Sequence, residues 1–267
     1  RRADSAIRMK RRSYIGYPEA LIMQKIGRQA TLLGMALLAA APLHAEGWTH
    51  ELAPYLWGAA MDGTTGIRDV TADVDMSFGD IVDNLEMGFM GMYRASHDRL
   101  SITVDTVYMG LGATERGPNG LVKADIDMDQ AALEVDAGYE VFDRFVVFGG
   151  LRYNDLEAKV KTTGALDVVR EADGRENWID PVIGAHYTIP FNDAWSASFR
   201  GDIGGFGVGS DFAWQGIATL RWQATPGFGV LAAYRYMAMD YDNGSGNDYF
   251  KYDMAISGPA LGMVFTF

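Results

Sequence analysis

From Trp48 to Phe267 the chain alternates large apolar residues with small or polar ones at every second position. Leu100, Ile102, Val104 and Tyr108 stand opposite Ser101, Thr103 and Asp105, and Ile179, Ile183, Ala185, Tyr187 and Ile189 opposite Asp180, His186 and Thr188. The same pattern sets Trp195, Ala197, Phe199 and Ile203 against Ser196, Ser198, Arg200 and Asp202, and Phe228, Val230, Ala232, Tyr234 and Tyr236 against Arg235. Successive side chains of a strand point to opposite faces, so a period of two predicts strands with one apolar face. Ten such segments can be marked; eight or twelve strands are also compatible with the pattern, and residues 62–76 are able to pair as an extra hairpin.

The punctuation between segments is uneven. Turn formers give tight connections at His97-Asp98-Arg99, Phe142-Asp143-Arg144, Asn192-Asp193-Ala194 and Thr225-Pro226-Gly227. The other connections read as longer and polar, near 61–84, 113–121, 160–175 and 242–248. Short turns at one end and long loops at the other predict an all-β transmembrane antiparallel up-and-down barrel with the short turns in the periplasm. Aromatic residues near the tight turns (Trp48, Tyr93, Tyr139, Phe145, Tyr187, Trp195, Trp222, Phe228 and Phe267) suit an interfacial girdle. One segment changes phase: Leu133, Val135, Ala137, Tyr139 and Val141 share a face, but Ile126 and Met128 sit at even positions. A bulge near Asp129-Gln130, or a strand that leaves the lipid and continues above it, explains the change.

Residues 23–45 read as a signal peptide. Lys25 and Arg28 precede the apolar run 32–41, and cleavage is expected after Ala45. The run is too short to span a bilayer as a helix. Residues 1–22 read as a non-native or unstructured extension, which leaves 46–267 as the barrel. There is no Cys, so disulfides and thiolate metal sites are excluded.

The chain has 23 basic and 35 acidic residues, and its first 45 positions hold 8 basic and 2 acidic ones, leaving 15 and 33 for the barrel, net −18. Such an acidic surface argues against nucleic acid as a partner. A soluble barrel or sandwich would show the same alternation with its faces exchanged. The front of the chain, the aromatic placement and the ending Leu261-Gly262-Met263-Val264-Phe265-Thr266-Phe267 favour the membrane. That ending resembles the closing strand of bacterial outer-membrane barrels. The resemblance implies that Phe265 and Phe267 form the signal read by the barrel-assembly machinery.

The stretch Glu51-Leu52-Ala53-Pro54-Tyr55-Leu56-Trp57-Gly58, then Asp62-Gly63-Thr64, resembles a group of uncharacterised proteobacterial outer-membrane proteins, broadly OmpA/OmpW-like. The stretch Val74-Asp75-Met76-Ser77-Phe78-Gly79-Asp80-Ile81-Val82-Asp83-Asn84-Leu85 is similar to that group's pattern too. The resemblance implies a Gram-negative outer-membrane barrel and no particular chemistry. It leaves outer-membrane lipid and lipopolysaccharide as the surroundings, and the oligomeric state open.

Candidate chemistry is sparse. The inward face is expected to carry a charge network of Glu86, Arg94, Asp105, Glu134, Asp136, Arg152, Asp180, Arg200, Asp202, Arg221 and Arg235, with Glu51 beside it. Mixed signs suit internal ion pairs and a narrow lumen with a weak preference for cations. Three histidines, His50, His97 and His186, follow the expected cleavage point after Ala45. Ser96-His97-Asp98 falls on a tight turn where neighbours face apart, so no catalytic residue is expected and the chain reads as non-enzymatic. No cofactor is expected, although a divalent cation at the outer rim suits Asp125, Asp127 and Asp129, or Asp240, Asp242 and Asp248. The expected function is a structural or narrow porin-like barrel. The alternatives are a barrel whose acidic outer loops bind a partner or divalent ions, and a lipid or peptide hydrolase.

Overall fold

A computed structural model describes residues 47–67, 70–116, 123–163, 169–246 and 249–267. The expectations for residues 1–45 lie outside them. Twelve strands and one short helix follow in order: β1 (Thr49–Trp57), β2 (Ala60–Ile67), β3 (Val70–Met76), α1 (Phe78–Asn84), β4 (Leu85–His97), β5 (Leu100–Arg116) and β6 (Lys123–Phe142). Then come β7 (Phe145–Thr163), β8 (Val169–Pro190), β9 (Trp195–Gly204), β10 (Phe212–Thr225), β11 (Phe228–Asn243) and β12 (Phe250–Thr266). Strands β1 and β4 to β12 pair antiparallel in a ring, closed where β1 meets β12 from Glu51↔Thr266 to Trp57↔Ala260. This is a closed barrel of ten strands. Strands β2 and β3 form a hairpin above it, with β2 pairing the outer part of β12 from Ala60↔Ser257 to Ile67↔Phe250. Residues 62–76 therefore do pair as an extra hairpin.

The tight turns fall where expected, and Asp98 and Arg144 take positive φ of 51° and 61° within them. Asn192 Oδ1 accepts from the Ala194 and Trp195 N–H groups, both at 2.9 Å, and so closes the third turn. Leu100, Ile102, Val135, Tyr139, Val147, Leu151, Ile179, Ile183, Phe199, Ile203, Leu220 and Leu261 are all exposed on the outer wall. The apolar band is nine residues tall on most strands, for example Phe145 to Tyr153, Ile179 to Tyr187 and Trp214 to Trp222. Nine to eleven tilted residues are what a strand needs to cross a bilayer. Aromatic pairs mark the lower edge: Trp195–Trp222 with ring centroids 6.4 Å apart, Phe145–Tyr187 at 6.2 Å and Phe228–Phe265 at 5.5 Å. His50 stacks between Tyr93 and the terminal Phe267, at 6.0 and 5.6 Å. Trp214 on Tyr236, at 4.7 Å, marks the upper edge.

Several strands are far longer than the band. β6 has 20 residues, β7 has 19 and β8 has 22. The segments 113–116, 160–163 and 169–175 continue as paired strand, which corrects the expectation of loops there. Register is unbroken through Asp129↔Gly110 and Gln130↔Met109, and through Asp129↔Glu157 and Gln130↔Leu156. There is no bulge at Asp129-Gln130. The second expected cause accounts for the phase change: the strand leaves the lipid and continues above it, where the outside of the wall meets water and the pattern inverts. Asp125, Asp127, Asp129, Asp155 and Arg175 now point outward, while Met109, Leu111, Leu156, Trp178, Met237, Met239 and Met254 are buried inside.

β1 passes into β2 at Gly58-Ala59, where the Gly58 N–H donates to the Pro259 carbonyl at 2.7 Å. The crossing is tight: a Cβ on Gly258 would lie 2.0 Å from the Gly58 carbonyl oxygen. Gly258→Val should therefore destabilise the barrel by about 1–3 kcal/mol or prevent closure. The heat-modifiable mobility of the refolded chain on a gel measures this, and wild-type behaviour would contradict the tight crossing.

Candidate functional site: a charged lumen beneath an apolar cap

Seven strands contribute polar side chains to one belt across the lumen. On β7, Arg152 donates through Nε to Glu134 Oε2 on β6 and through Nη2 to Asp202 Oδ1 on β9, both at 2.6 Å. Asp202 Oδ2 accepts from Gln215 Nε2 on β10 at 2.9 Å. Gln215 Oε1 accepts from Arg235 Nε on β11 at 2.7 Å. Arg235 Nη1 then reaches Tyr55 Oη on β1 at 2.9 Å and Asp105 Oδ1 on β5 at 3.0 Å. Tyr55 donates to Asp105 Oδ2 at 2.9 Å, which closes that end. Arg200 on β9 joins the other end by pairing with Glu134 and, at 2.9 Å, with Asp136 Oδ2. Two guanidiniums also rest on rings, Arg200 4.1 Å from the Phe148 centroid and Arg235 4.8 Å from that of Trp57. Arg152 is 1% exposed, so its charge is held by its neighbours rather than by water.

Seven of the expected lumen charges meet in this belt: Asp105, Glu134, Asp136, Arg152, Arg200, Asp202 and Arg235. Arg221 lies nearer the short turns and pairs with Glu51 at 2.5 Å. Arg94 faces the same region. Asp180 is inside and fully buried; Arg152 is its register partner on β7, but among the described residues no ion pair joins the two. Asp180 accepts from Ser210 N at 2.6 Å, Ser210 Oγ at 2.9 Å, Asn154 Nδ2 at 3.1 Å and Trp178 Nε1 at 3.2 Å, and so ties down the connection between β9 and β10. Glu86 is outside the lumen. The β4–β5 register shifts between Leu85 and Met87, which frees Glu86 to lie exposed over Gly112. Tyr55 and Gln215 were missed as belt members because neither is charged. Their signal was phase alone: each is a polar group on an inward position of its strand.

Directly above the belt the lumen is filled with apolar side chains. Seven methionines (Met61, Met76, Met90, Met109, Met237, Met239 and Met254) are buried with Trp57, Leu111, Leu156, Trp178, Tyr241, Phe250, Tyr252 and Ile256. Trp178 stacks on Tyr241 with centroids 4.1 Å apart. The hairpin β2–β3 and Ile81 of α1 complete this cap. Below the belt lies a cavity of about 280 Å³ that reaches the short-turn end. Its walls include Arg94, Arg221, His186, Ser101, Thr188, Ser196 and Ser198, with Val146, Phe148, Ile217 and Leu231.

The acidic residues proposed for a cation stand on the outer surface. Asp125 pairs with Lys123 and accepts from Thr114 Oγ1 at 2.6 Å, and Asp129 accepts from Tyr108 Oη at 2.8 Å. Asp240 faces Asp253 in register, and Asp242 lies on the same side. Partial burial, followed by the Asp253 charge, raises the Asp240 carboxyl above its ordinary value. Asp248 lies outside the described residues. Among the described residues no three of these groups gather as a metal site. Nearby, Asp155 grips Arg175 through two hydrogen bonds of 2.9 and 2.6 Å, and these bonds raise the Arg175 guanidinium above its ordinary value.

No protein-family model and no curated protein matches the sequence. Solved structures of similar architecture do. The attachment invasion locus protein Ail of Yersinia pestis is 12% identical, with 83% of this chain and 99% of that one covered and a TM-score of 0.37. The translocator domain of the autotransporter NalP from Neisseria meningitidis is 14% identical over 91% and 97%, with a TM-score of 0.40. The outer membrane protease OmpT from Escherichia coli is 8% identical over 84% and 98%, with a TM-score of 0.44. Each is a likeness of fold alone. An apolar band of bilayer height on a closed β-barrel, with short turns at one end, is outer-membrane architecture. The chain is an outer-membrane β-barrel protein.

Because Arg152 neutralises two buried acids, Arg152→Met should cost about 3–5 kcal/mol by leaving Glu134 and Asp202 short of a partner. Arg175→Met, which breaks an exposed pair, should cost less than about 1 kcal/mol. Urea unfolding of the two refolded variants checks the contrast, and equal losses would refute it.

Proposed function

We propose that the protein is a non-enzymatic, narrow porin-like barrel that rests in a shut state. The observation that carries this reading is the order of layers in the lumen: an open cavity, then a bonded belt of ion pairs, then a dry cap. Ions do not cross packed methionine and aromatic side chains without wetting them, so the cap rather than the belt is the seal. The absence of enzymatic chemistry is favoured by the histidines. His50 is packed between two rings at the outer wall, His97 ends β4 beside a turn, and His186 is in the cavity, so no pair of them serves a Ser or Asp group. The closer kinship with the OmpA/OmpW-like group is supported only by the motifs between Glu51 and Leu85, and the signal peptide only by the charge and apolar run of residues 23–45.

Conductance of the refolded chain in a planar bilayer tests the reading. The wild-type chain should be silent apart from rare brief steps. Met109→Ser, Met237→Ser and Met239→Ser in combination should wet the cap and give sustained steps at least about tenfold more often. A folded triple variant that stays silent would leave a structural role and remove the channel.

A second reading is favoured by the outer wall, where Asp125, Asp127 and Asp129 share one face and Asp240 confronts Asp253. Divalent ions between these acids and lipopolysaccharide phosphates would relieve that repulsion. Millimolar Mg²⁺ should raise the melting temperature of the wild-type chain in lipopolysaccharide-containing bilayers by a few degrees. Asp240→Asn with Asp253→Asn should reduce this rise, and an equal rise in both would dismiss the reading.

A further inference from the structure

The cavity beneath the belt is not lined as a simple water-filled mouth would be. Its volume of about 280 Å³ is near the lower end for a small-ligand pocket, and corresponds to roughly nine water molecules. One part of its wall is apolar, made by Val146, Phe148, Ile217, Leu231 and Val264. These residues occupy inward positions inside the lipid band, where the lumen pattern otherwise puts polar groups. The remaining wall carries hydroxyls from Ser101, Thr188, Ser196 and Ser198.

The charges in this wall are unequally paired. Arg235 is engaged by Asp105, Arg200 by Glu134 and Asp136, and Arg221 by Glu51. Glu51 is also the strand neighbour of Arg94 in the β1–β4 register, so the acid beside Arg94 is already claimed from across the lumen. Among the described residues no hydrogen bond or contact ion pair holds the Arg94 guanidinium; Glu51 and Glu140 attract it only from farther away. On the same lining, Arg200 Nε makes no hydrogen bond, although Asp202 Oδ2 lies 3.4 Å away as an ion-pair partner. Asp136 Oδ1 is a buried acceptor without a hydrogen-bond partner, available to a hydroxyl but not to an anion. A guanidinium with no acid in hydrogen-bond contact, set in a partly apolar cavity, selects a planar oxyanion, which it binds with two parallel hydrogen bonds.

We propose that this cavity is a binding site, open from the periplasmic end, for a small organic anion with an apolar body, whose carboxylate or phosphate group is received by Arg94. The body lies against Phe148, Ile217 and Leu231, and the wall hydroxyls complete the shell. The site stands whether or not the barrel conducts, because the belt and cap close it from above.

Isothermal titration calorimetry of the full chain in lipid nanodiscs tests this, with empty nanodiscs as the reference. The probes are benzoate and phenyl phosphate, which carry both features, acetate, which lacks the body, and benzyl alcohol, which lacks the charge. Benzoate or phenyl phosphate should bind the wild-type chain at least about tenfold more tightly than acetate or benzyl alcohol, and the tighter of the two identifies the headgroup. Arg94→Gln should weaken that binding by about tenfold or more, and Arg94→Lys by less, since it keeps the charge and loses the fork. Gel mobility before and after heating confirms that each variant is folded. Absence of binding of either probe to the folded wild-type chain would overturn the proposal. So would equal binding by Arg94→Gln, or acetate binding as tightly as benzoate.

Discussion

Each long strand of this protein passes through two solvents, and the structure depends on how the sequence answers that change without losing register. Inside the bilayer the outer wall must be apolar, so polar and charged groups are turned inward. Above the bilayer the outer wall meets water, and the same strand turns its acids outward and its methionines inward. β6 shows both regimes in one continuous ladder: Val135 and Tyr139 face lipid, Glu134 and Asp136 face the lumen, and higher up Asp125 and Asp127 face water. A one-residue slip would reverse every one of these assignments at once, so the two solvents together pin the pairing more tightly than either would alone.

The layering of the lumen follows from the inversion. Charges sent inward by the lipid need partners, and among seven strands they find them in a belt that spans the barrel. Apolar side chains sent inward by the water above have no need of partners, only of neighbours, and they pack as a core of the ordinary globular kind. The boundary between belt and cap is therefore the outer edge of the membrane projected into the lumen. Trp57 marks it, with its ring over Arg235 and its backbone N–H donating to Met90 Sδ at 3.2 Å, just above the last β1–β4 register pair at Pro54↔Gly91.

Much of this was legible in the sequence, because alternation is a local signal. The strand phases, the tight turns, the lower aromatic girdle and most of the inward charges could be read from neighbouring residues. What could not be read depended on partners distant in the chain. Nothing local says that Asp180 is satisfied by Ser210 while Arg152 takes Glu134 and Asp202, nor that a shift at Leu85–Met87 expels Glu86. The cap was hidden for a different reason. Met237 and Met239 continue the inward phase of Arg235, and a lumen expected to be polar throughout left no place for them.

The closure of the barrel has a consequence in time. β1 and β12 join residues more than two hundred positions apart, whereas every other wall contact links consecutive wall strands. Contacts so distant in sequence form late, since the entropy of the intervening chain must be overcome first. The outer segment of β12 that pairs with β2 belongs to this last event, and with it the wall residues Tyr252, Met254 and Ile256. The dry core is thus assembled only when the two ends of the chain have met. Until then its methionines have no enclosure, and an incompletely closed barrel is also an unsealed one.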